Sequence, residues 1–263
     1  MKRISVLMGI YNCASTLPQA LDSLLNQTFK EFQIILCDDG SQDETFEVAE
    51  KYASKYHNIV LLRNDVNRGL NYTLNKCLDY VDTEYVARMD GDDLCDPMRF
   101  EKEINFLDNH PEYALVSTNM HYFDDDGVFF TGHREGEPTM ESYLYESPFC
   151  HAPCMARTEA FKTVGGYSDF DLVRRVEDYH LWMKMRTAGY RGYNLPEALY
   201  SMRDDRNAAV RRNPKARRNE AYVKYQIWKN FHLPWYKIIY CARPLILAYM
   251  PNWLYTYLHK RRK

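Results

Sequence analysis

The chain lacks the signatures of several large protein classes. Its 11 glycines form neither a Gly-x-Gly-x-x-Gly fingerprint nor a phosphate loop closing in Gly-Lys-Ser/Thr, and no His-Glu-x-x-His occurs. A dehydrogenase, a phosphate-loop ATPase and a zinc protease lose their main support. Seven cysteines, an odd number without framework spacing and with no signal peptide before the first apolar run, predict free thiols in a reducing cytoplasm. Cys150 and Cys154 flank His151, but no second pair has zinc spacing, so buried thiols are expected. There is no internal repeat and no low-complexity segment. Acidic residues are scarce after position 202: residues 203–263 hold 3 against 15 Lys/Arg, a net of +12, whereas residues 1–202 hold 33 against 19, a net of −14. An acidic globular body with a basic segment that meets phosphates or an anionic membrane is expected.

What is present reads as α/β. Short apolar runs at 4–8, 32–37, 59–63 and 85–89 predict strands, and the segments between them carry helical stripes. Thr16 is placed to cap the first helix, with Pro18 in its first turn and Leu17, Leu21, Leu24 and Leu25 on one face. Asp43 is placed to cap the second. Strand–helix alternation predicts a mostly parallel sheet with helices on both faces. After residue 113 the pattern becomes mixed: strand, turn and strand near 114–132, then a helix over 177–189 with Leu181, Trp182 and Met185 inward. At 263 residues, one catalytic-size domain plus a tail is expected.

In open α/β sheets the ligand lies beyond the carboxyl ends of the strands. Here those ends carry Tyr11–Asn12, Asp38–Asp39 and the acidic run Asp90, Asp92, Asp93. Like charges so close need water, a cation or a basic group beside them. A solvated acidic turn is the plain reading. A calcium loop fits Asp90, Asp92 and Glu101 but puts Leu94 and Cys95 where an oxygen ligand and a glycine belong. A magnesium or manganese site shared with a substrate diphosphate suits the position better, because such ions take one or two carboxylates and complete their shell with phosphate and water. Gly91 allows close backbone approach.

The ordered segments "SVLMGIYNCASTLPQALDSLLNQTF", "IILCDDGSQDET", "NRGLNYTLNKCL", "YVARMDGDDLCDPMRF" and "VEDYHLWMKM" resemble the inverting family 2 glycosyltransferases of GT-A fold, especially bacterial members that build exopolysaccharide and capsule. The resemblance implies a GT-A domain over 1–205, with a nucleotide-binding half to about 112 and an acceptor half over 113–205, followed by a helical extension over 206–263. It places Gly9, Tyr11 and Asn12 at the nucleotide and Asp39 on the base, usually uracil. Arg68 lines base and phosphates, Asp90 lies near the ribose beside Gly91, and Asp92 sits on Mn2+ or Mg2+, with Asp93 orienting the loop. Asp178 becomes the general base for the acceptor hydroxyl, supported by Glu177 and kept ionised by the helix dipole. Plainer alternatives are a turn cap for Asp39, a surface arginine for Arg68 and dipole complementarity for Glu177 and Asp178.

The chain departs from the family's pattern twice. The processive Gln-x-x-Arg-Trp motif is absent, which argues for one sugar per encounter, and Arg203 and Arg206 stand where many members place a diphosphate-binding histidine. The expected activity is transfer from a nucleotide-sugar, most often a UDP-sugar, to a growing lipid-linked saccharide. A catalytically silent nucleotide- or protein-binding module is the rival, and the glycine-rich start of a sugar-nucleotidyltransferase is missing. The aromatic stretch 238–258, with its prolines, predicts an element lying in a membrane interface with the terminal "HKRRK" among anionic headgroups, peripheral on the cytoplasmic side. A helical hairpin packed on the domain is the alternative, and no nucleic-acid recognition motif accompanies the charge.

Overall fold

The structure, a computed structural model, describes residues 2–204 and 213–250. Period-2 alternation builds its centre. In β1 (Ile4–Ile10), Ile4, Val6, Met8 and Ile10 are buried in one core and Leu7 in the other. β2 (Phe32–Asp38) repeats this, with Phe32, Ile34 and Leu36 opposite Ile35 and Cys37. Strands buried on both faces are what a helix-covered parallel sheet requires. β3 (Ile59–Arg63) and β4 (Tyr85–Arg88) complete a parallel β3-β2-β1-β4 unit. Its connections are α1 (Leu17–Leu25), α2 (Thr45–Lys55) and α3 (Leu70–Leu78).

The second half extends the same sheet. After β5 (Leu94–Cys95) and α4 (Arg99–Asn109) come β6 (Leu115–Asp124), β7 (Gly127–Thr131), α5 (Ser142–Tyr145), β8 (Cys154–Arg157), α6 (Thr158–Thr163), α7 (Glu177–Thr187) and β9 (Gly192–Arg203). β8 runs antiparallel between β4 and β6, β9 lies parallel to β6, and the order ends β8-β6-β9-β5. Two-residue β5 pairs Leu94 with Ser201 and Cys95 with Tyr200. That pairing sets the acidic run before β5 against the end of β9.

Two expected caps are differently employed. Thr16 makes no side-chain cap; its hydroxyl donates to the Cys13 carbonyl at 3.2 Å and the Gly91 carbonyl at 3.0 Å, tying the first helix to the acidic loop. Asp43 lies one residue before the N-cap Glu44 and accepts from the backbone N–H and hydroxyl of Thr45.

Of the C-terminal extension, α8 (Pro214–Asn230) and α9 (Ile239–Tyr249) are described. Val223, Ile227, Phe231 and Cys241 share a core with Leu181 and Trp182 of α7, so this part packs as a helical pair on the domain. Its outer side leaves Trp235, Tyr236, Ile239, Ile246 and Tyr249 exposed. No helix among the described residues is long and apolar enough to cross a membrane.

A buried ion pair pins the middle of the sheet. Arg99 and Glu103 on α4 are fully buried and bonded at 3.1 Å. The same guanidinium donates to the carbonyls of Arg88 and Cys154, joining the ends of β4 and β8. Removing one partner of a buried pair strands the other charge, which costs about 3–5 kcal/mol. Arg99→Leu is therefore expected to lower stability by that order in urea denaturation, with much of it recovered in the Arg99→Leu, Glu103→Leu double variant. A single variant as stable as the wild type would show that the pair bears no such strain.

Candidate active site

β4 ends on Arg88, whose buried guanidinium meets Asp90 at 2.6 Å. Burial opposes that charge, but Asp90, with Tyr167 and Tyr200, more than offsets it and keeps Arg88 ionised. Asp93 is buried and held from β9: Tyr200 Oη donates to it at 2.8 Å and the Arg203 backbone N–H at 2.8 Å. Tyr200 Oη also accepts from the Asp90 N–H at 3.2 Å. Burial first, then the charges of Asp90 and Asp92, pushes Asp93 up to about 7. Asp92 stands at the exposed rim and makes no ion pair among the described residues. Although the residue is exposed, its carboxylate is partly desolvated by the loop, and this, followed by Asp90's charge, raises its pKa. A Cβ at Gly91 would lie 2.8 Å from Cys13 Sγ and 3.1 Å from Ile10, so only glycine lets the loop seat against the end of β1.

The three carboxylates of the loop thus have separate surroundings, with Asp90 on Arg88, Asp93 on β9 and Asp92 facing outward. Among the described residues no three His, Cys, Asp or Glu side chains gather as an all-protein cage. One outward carboxylate fits an ion that shares its shell with phosphate and water.

Beyond the end of β1, Asn12 adopts a left-handed backbone (φ 49). Its N–H donates to Ser41 Oγ at 3.0 Å and its Oδ1 accepts from Gln42 N–H at 2.9 Å. Tyr11 is exposed beside it, whereas Gly9 faces α3, where a Cβ would press on Leu70 and Thr73 at 3.3 Å. Asp39 accepts from Asn64 Nδ2 and from the N–H groups of Arg68 and Gly69, each at 2.8 Å. These bonds fix the Asn67–Gly69 turn and occupy three of roughly four acceptor positions of the carboxylate. The Arg68 guanidinium lies over the Tyr72 ring at 4.6 Å. A cavity of about 300 Å³ runs from Arg68 and Asn71 to Arg174, Arg175 and Glu177, joining this side to the start of α7.

Asp178 lies in the first turn of α7, half-buried, with Ser147 Oγ donating to it at 3.4 Å. The helix dipole was expected to keep it ionised. Burial, aided by Glu177's charge, works against that and raises it to about 6. It is still ionised at neutral pH, and a base is most effective when its pKa lies near the working pH.

Arg203 contributes its backbone to Asp93, while its guanidinium pairs with Asp125 at 3.2 Å and lies over Phe123. Arg206 lies outside the described residues. Sequence reasoning missed Arg88, although a charge inside the apolar run "YVARM" was a visible signal. It also missed Tyr200, Asn64 and Ser147, for which no local signal exists. His151 bonds Tyr167 Oη at 2.8 Å, and burial together with Arg88's charge keeps it neutral. Cys154 donates to the Cys150 carbonyl, and the cysteines are free.

A mixed sheet with an acidic loop beyond the end of β4 has the GT-A architecture. S. aureus TarS in complex with UDP has this fold, superposing with a TM-score of 0.70 at 20% identity over 94% of this chain and 70% of that one. The Pyrobaculum calidifontis mannosyltransferase PcManGT, in complex with GDP-Man and Mn2+, gives 0.67 at 18% identity, covering 98% and 79%. Residues 5–165 match glycosyl transferase family 2, and the chain belongs to that family of inverting transferases. It is 41% identical to the putative glycosyltransferase EpsE of Bacillus subtilis, over 99% of this chain and 94% of that protein. It is 32% identical to the amylovoran biosynthesis glycosyltransferase AmsE of Erwinia amylovora (76% and 75%). Escherichia coli WfaP, a UDP-Glc:α-D-GlcNAc-diphosphoundecaprenol β-1,3-glucosyltransferase, is 28% identical (76% and 77%).

A carboxylate whose folded pKa is raised favours folding while protonated, and that contribution is lost as pH rises through about 6. Asp178→Asn is therefore expected to melt higher than wild type at pH 8 and level with it at pH 4. Equal melting temperatures at both pH values would place Asp178 in ordinary solvent.

Proposed function

We propose that the chain transfers one sugar per encounter from a UDP-sugar to a growing lipid-linked saccharide in surface polysaccharide synthesis, with inversion. The observation that carries this is Asp178: a half-buried carboxylate with a pKa near 6, sharing its helix start with a cavity that reaches Arg68. The acceptor hydroxyl gives its proton to Asp178 as its oxygen bonds to the anomeric carbon. The bond from that carbon to the diphosphate breaks, and its electron pair leaves with the nucleoside diphosphate. Tyr11, Asn12, Asp39 and Arg68 surround the base and ribose, with Asp90 beside them. Asp92 would hold Mn2+ or Mg2+, which when bound supplies Lewis-acid stabilisation of the leaving diphosphate. The UDP complexes of TarS and the lipid-linked acceptor named for WfaP support the donor and acceptor classes.

Two variants test the chemistry. Asp178→Asn is expected to keep UDP affinity within a few-fold and to lower transfer about a hundredfold or more, the range of general-base catalysis. Asp92→Asn is expected to fold normally and lose manganese-dependent stabilisation by UDP in thermal shift. Near-normal transfer by the first variant would return Asp178 to a structural role. UDP binding by the second that still strengthens with manganese would remove Asp92 from the metal.

The outer side of residues 235–249 supplies the peripheral membrane contact in this reading. Exposed Trp235, Tyr236, Ile239, Ile246 and Tyr249 offer apolar area, and the +12 segment offers charge. Stable interfacial binding takes both signals. Because Cys241 and Pro244 are buried, truncation would also damage the core, so substitution is the cleaner test. Trp235→Ser with Ile239→Ser and Ile246→Ser is expected to abolish binding to vesicles rich in anionic lipid without lowering the melting temperature. Wild-type protein that ignores such vesicles at low salt would refute the membrane contact.

A further inference from the structure

α8 carries two polar residues in its buried face where apolar ones would cost less desolvation. Asn219 is fully buried, and Lys224 nearly so. Asn219 Nδ2 donates to the carbonyls of Asp171 at 2.7 Å and Arg174 at 2.9 Å. Lys224 Nζ donates to the Tyr145 carbonyl at 2.8 Å and pairs with Glu220 at 3.3 Å.

The two segments they hold converge on one carboxylate. Arg174 precedes Arg175, which takes a left-handed backbone (φ 71), then Val176, the N-cap of α7, and two residues later Asp178. A non-glycine residue holds that conformation only when its surroundings impose it. Tyr145 ends α5, two residues before Ser147, the hydroxyl that reaches Asp178. Tyr179 Oη also bonds the Tyr143 carbonyl, so α5 and α7 are joined directly beside the base. One helix beyond the family-matched residues 5–165 therefore braces the site from both sides.

We propose that Asn219 and Lys224 are positioning residues for the transfer reaction: they lock the 171–176 and 145–147 segments and so aim Asp178 at the acceptor hydroxyl. This rests on the reading of Asp178 as base. It assigns α8 to the catalytic unit, and C-terminal truncation before residue 230 would then cost turnover as well as solubility.

The test compares Asn219→Ser, whose hydroxyl is too short to bridge both carbonyls, and Lys224→Met with wild type and Asp178→Asn. All are measured with the full chain and whichever UDP-sugar and acceptor support wild-type turnover, with folded enzyme counted by UDP binding. The expected result is a tenfold or larger fall in kcat per UDP-binding molecule for each variant, with the donor KM within twofold. The acid limb of the pH–rate profile should also move to lower pH as the loosened carboxylate hydrates. A merely structural role would reduce the yield of folded protein and leave kcat and the acid limb unchanged, and that outcome overturns the proposal. If Asn219→Ser does not fold, Lys224→Met decides by the same readout. Should Asp178→Asn transfer normally, the base assignment fails and the positioning role falls with it. An inactive Asp178→Asn beside fully active α8 variants defeats the positioning role alone.

Discussion

The site turns on keeping three neighbouring carboxylates charged or hydrogen-bonded without letting them push the loop apart. Desolvation of the carboxylates and then the charge of Asp90 make Asp92 and Asp93 harder to ionise, and Asp92 adds to the effect on Asp93. The fold answers with a buried arginine inside β4 and with a tyrosine and a backbone N–H from β9. Offsetting one charge with Arg88 and a second carboxylate with fixed dipoles leaves the third, Asp92, to face outward. In the proposed reading, an outward carboxylate backed by two immobilised neighbours would serve a divalent ion that brings its own phosphate ligands. Removing any one of these supports would release repulsion into the loop that Gly91 seats against β1.

A second set of contacts lies between this loop and α7. Arg99 and Glu103 tie the ends of β4 and β8 under the sheet, and His151, just before β8, stays neutral beside Tyr167. Above them α5, α7 and α8 meet around Asp178 through backbone carbonyls held by buried side chains. The surroundings of Asp178 are thus set by helices and not by the sheet.

The sequence shows the first half of the fold plainly because β1 and β2 alternate in perfect register with two cores, and the helices between them carry single apolar stripes. The β6–β7 hairpin was also legible, since a "DDDG" turn divides two apolar runs. Less visible was anything made by partners far apart in the chain. Nothing near Asp93 announces Tyr200, 107 positions away, and nothing near Asp178 announces Asn219. Thr16 and Asp43 look like caps because their residue types favour caps, but tertiary and local hydroxyl partners claim the two side chains. Asp178 is the instructive case: the helix start is readable, yet its acidity is set by burial that sequence does not display.

Catalysis in this account depends on Asp178 being the ionised base of the reaction, with a pKa set by burial. The most direct measurement is kcat/KM against pH for the wild-type enzyme with a saturating divalent ion. The expected profile falls on the acid side with an apparent pKa of about 6, because free enzyme with protonated Asp178 cannot accept the hydroxyl proton. That limb should vanish from the residual activity of Asp178→Asn. A rate that stays level down to about pH 4.5, well below the usual working range of such a base, or an acid limb that survives unchanged in Asp178→Asn, would contradict it.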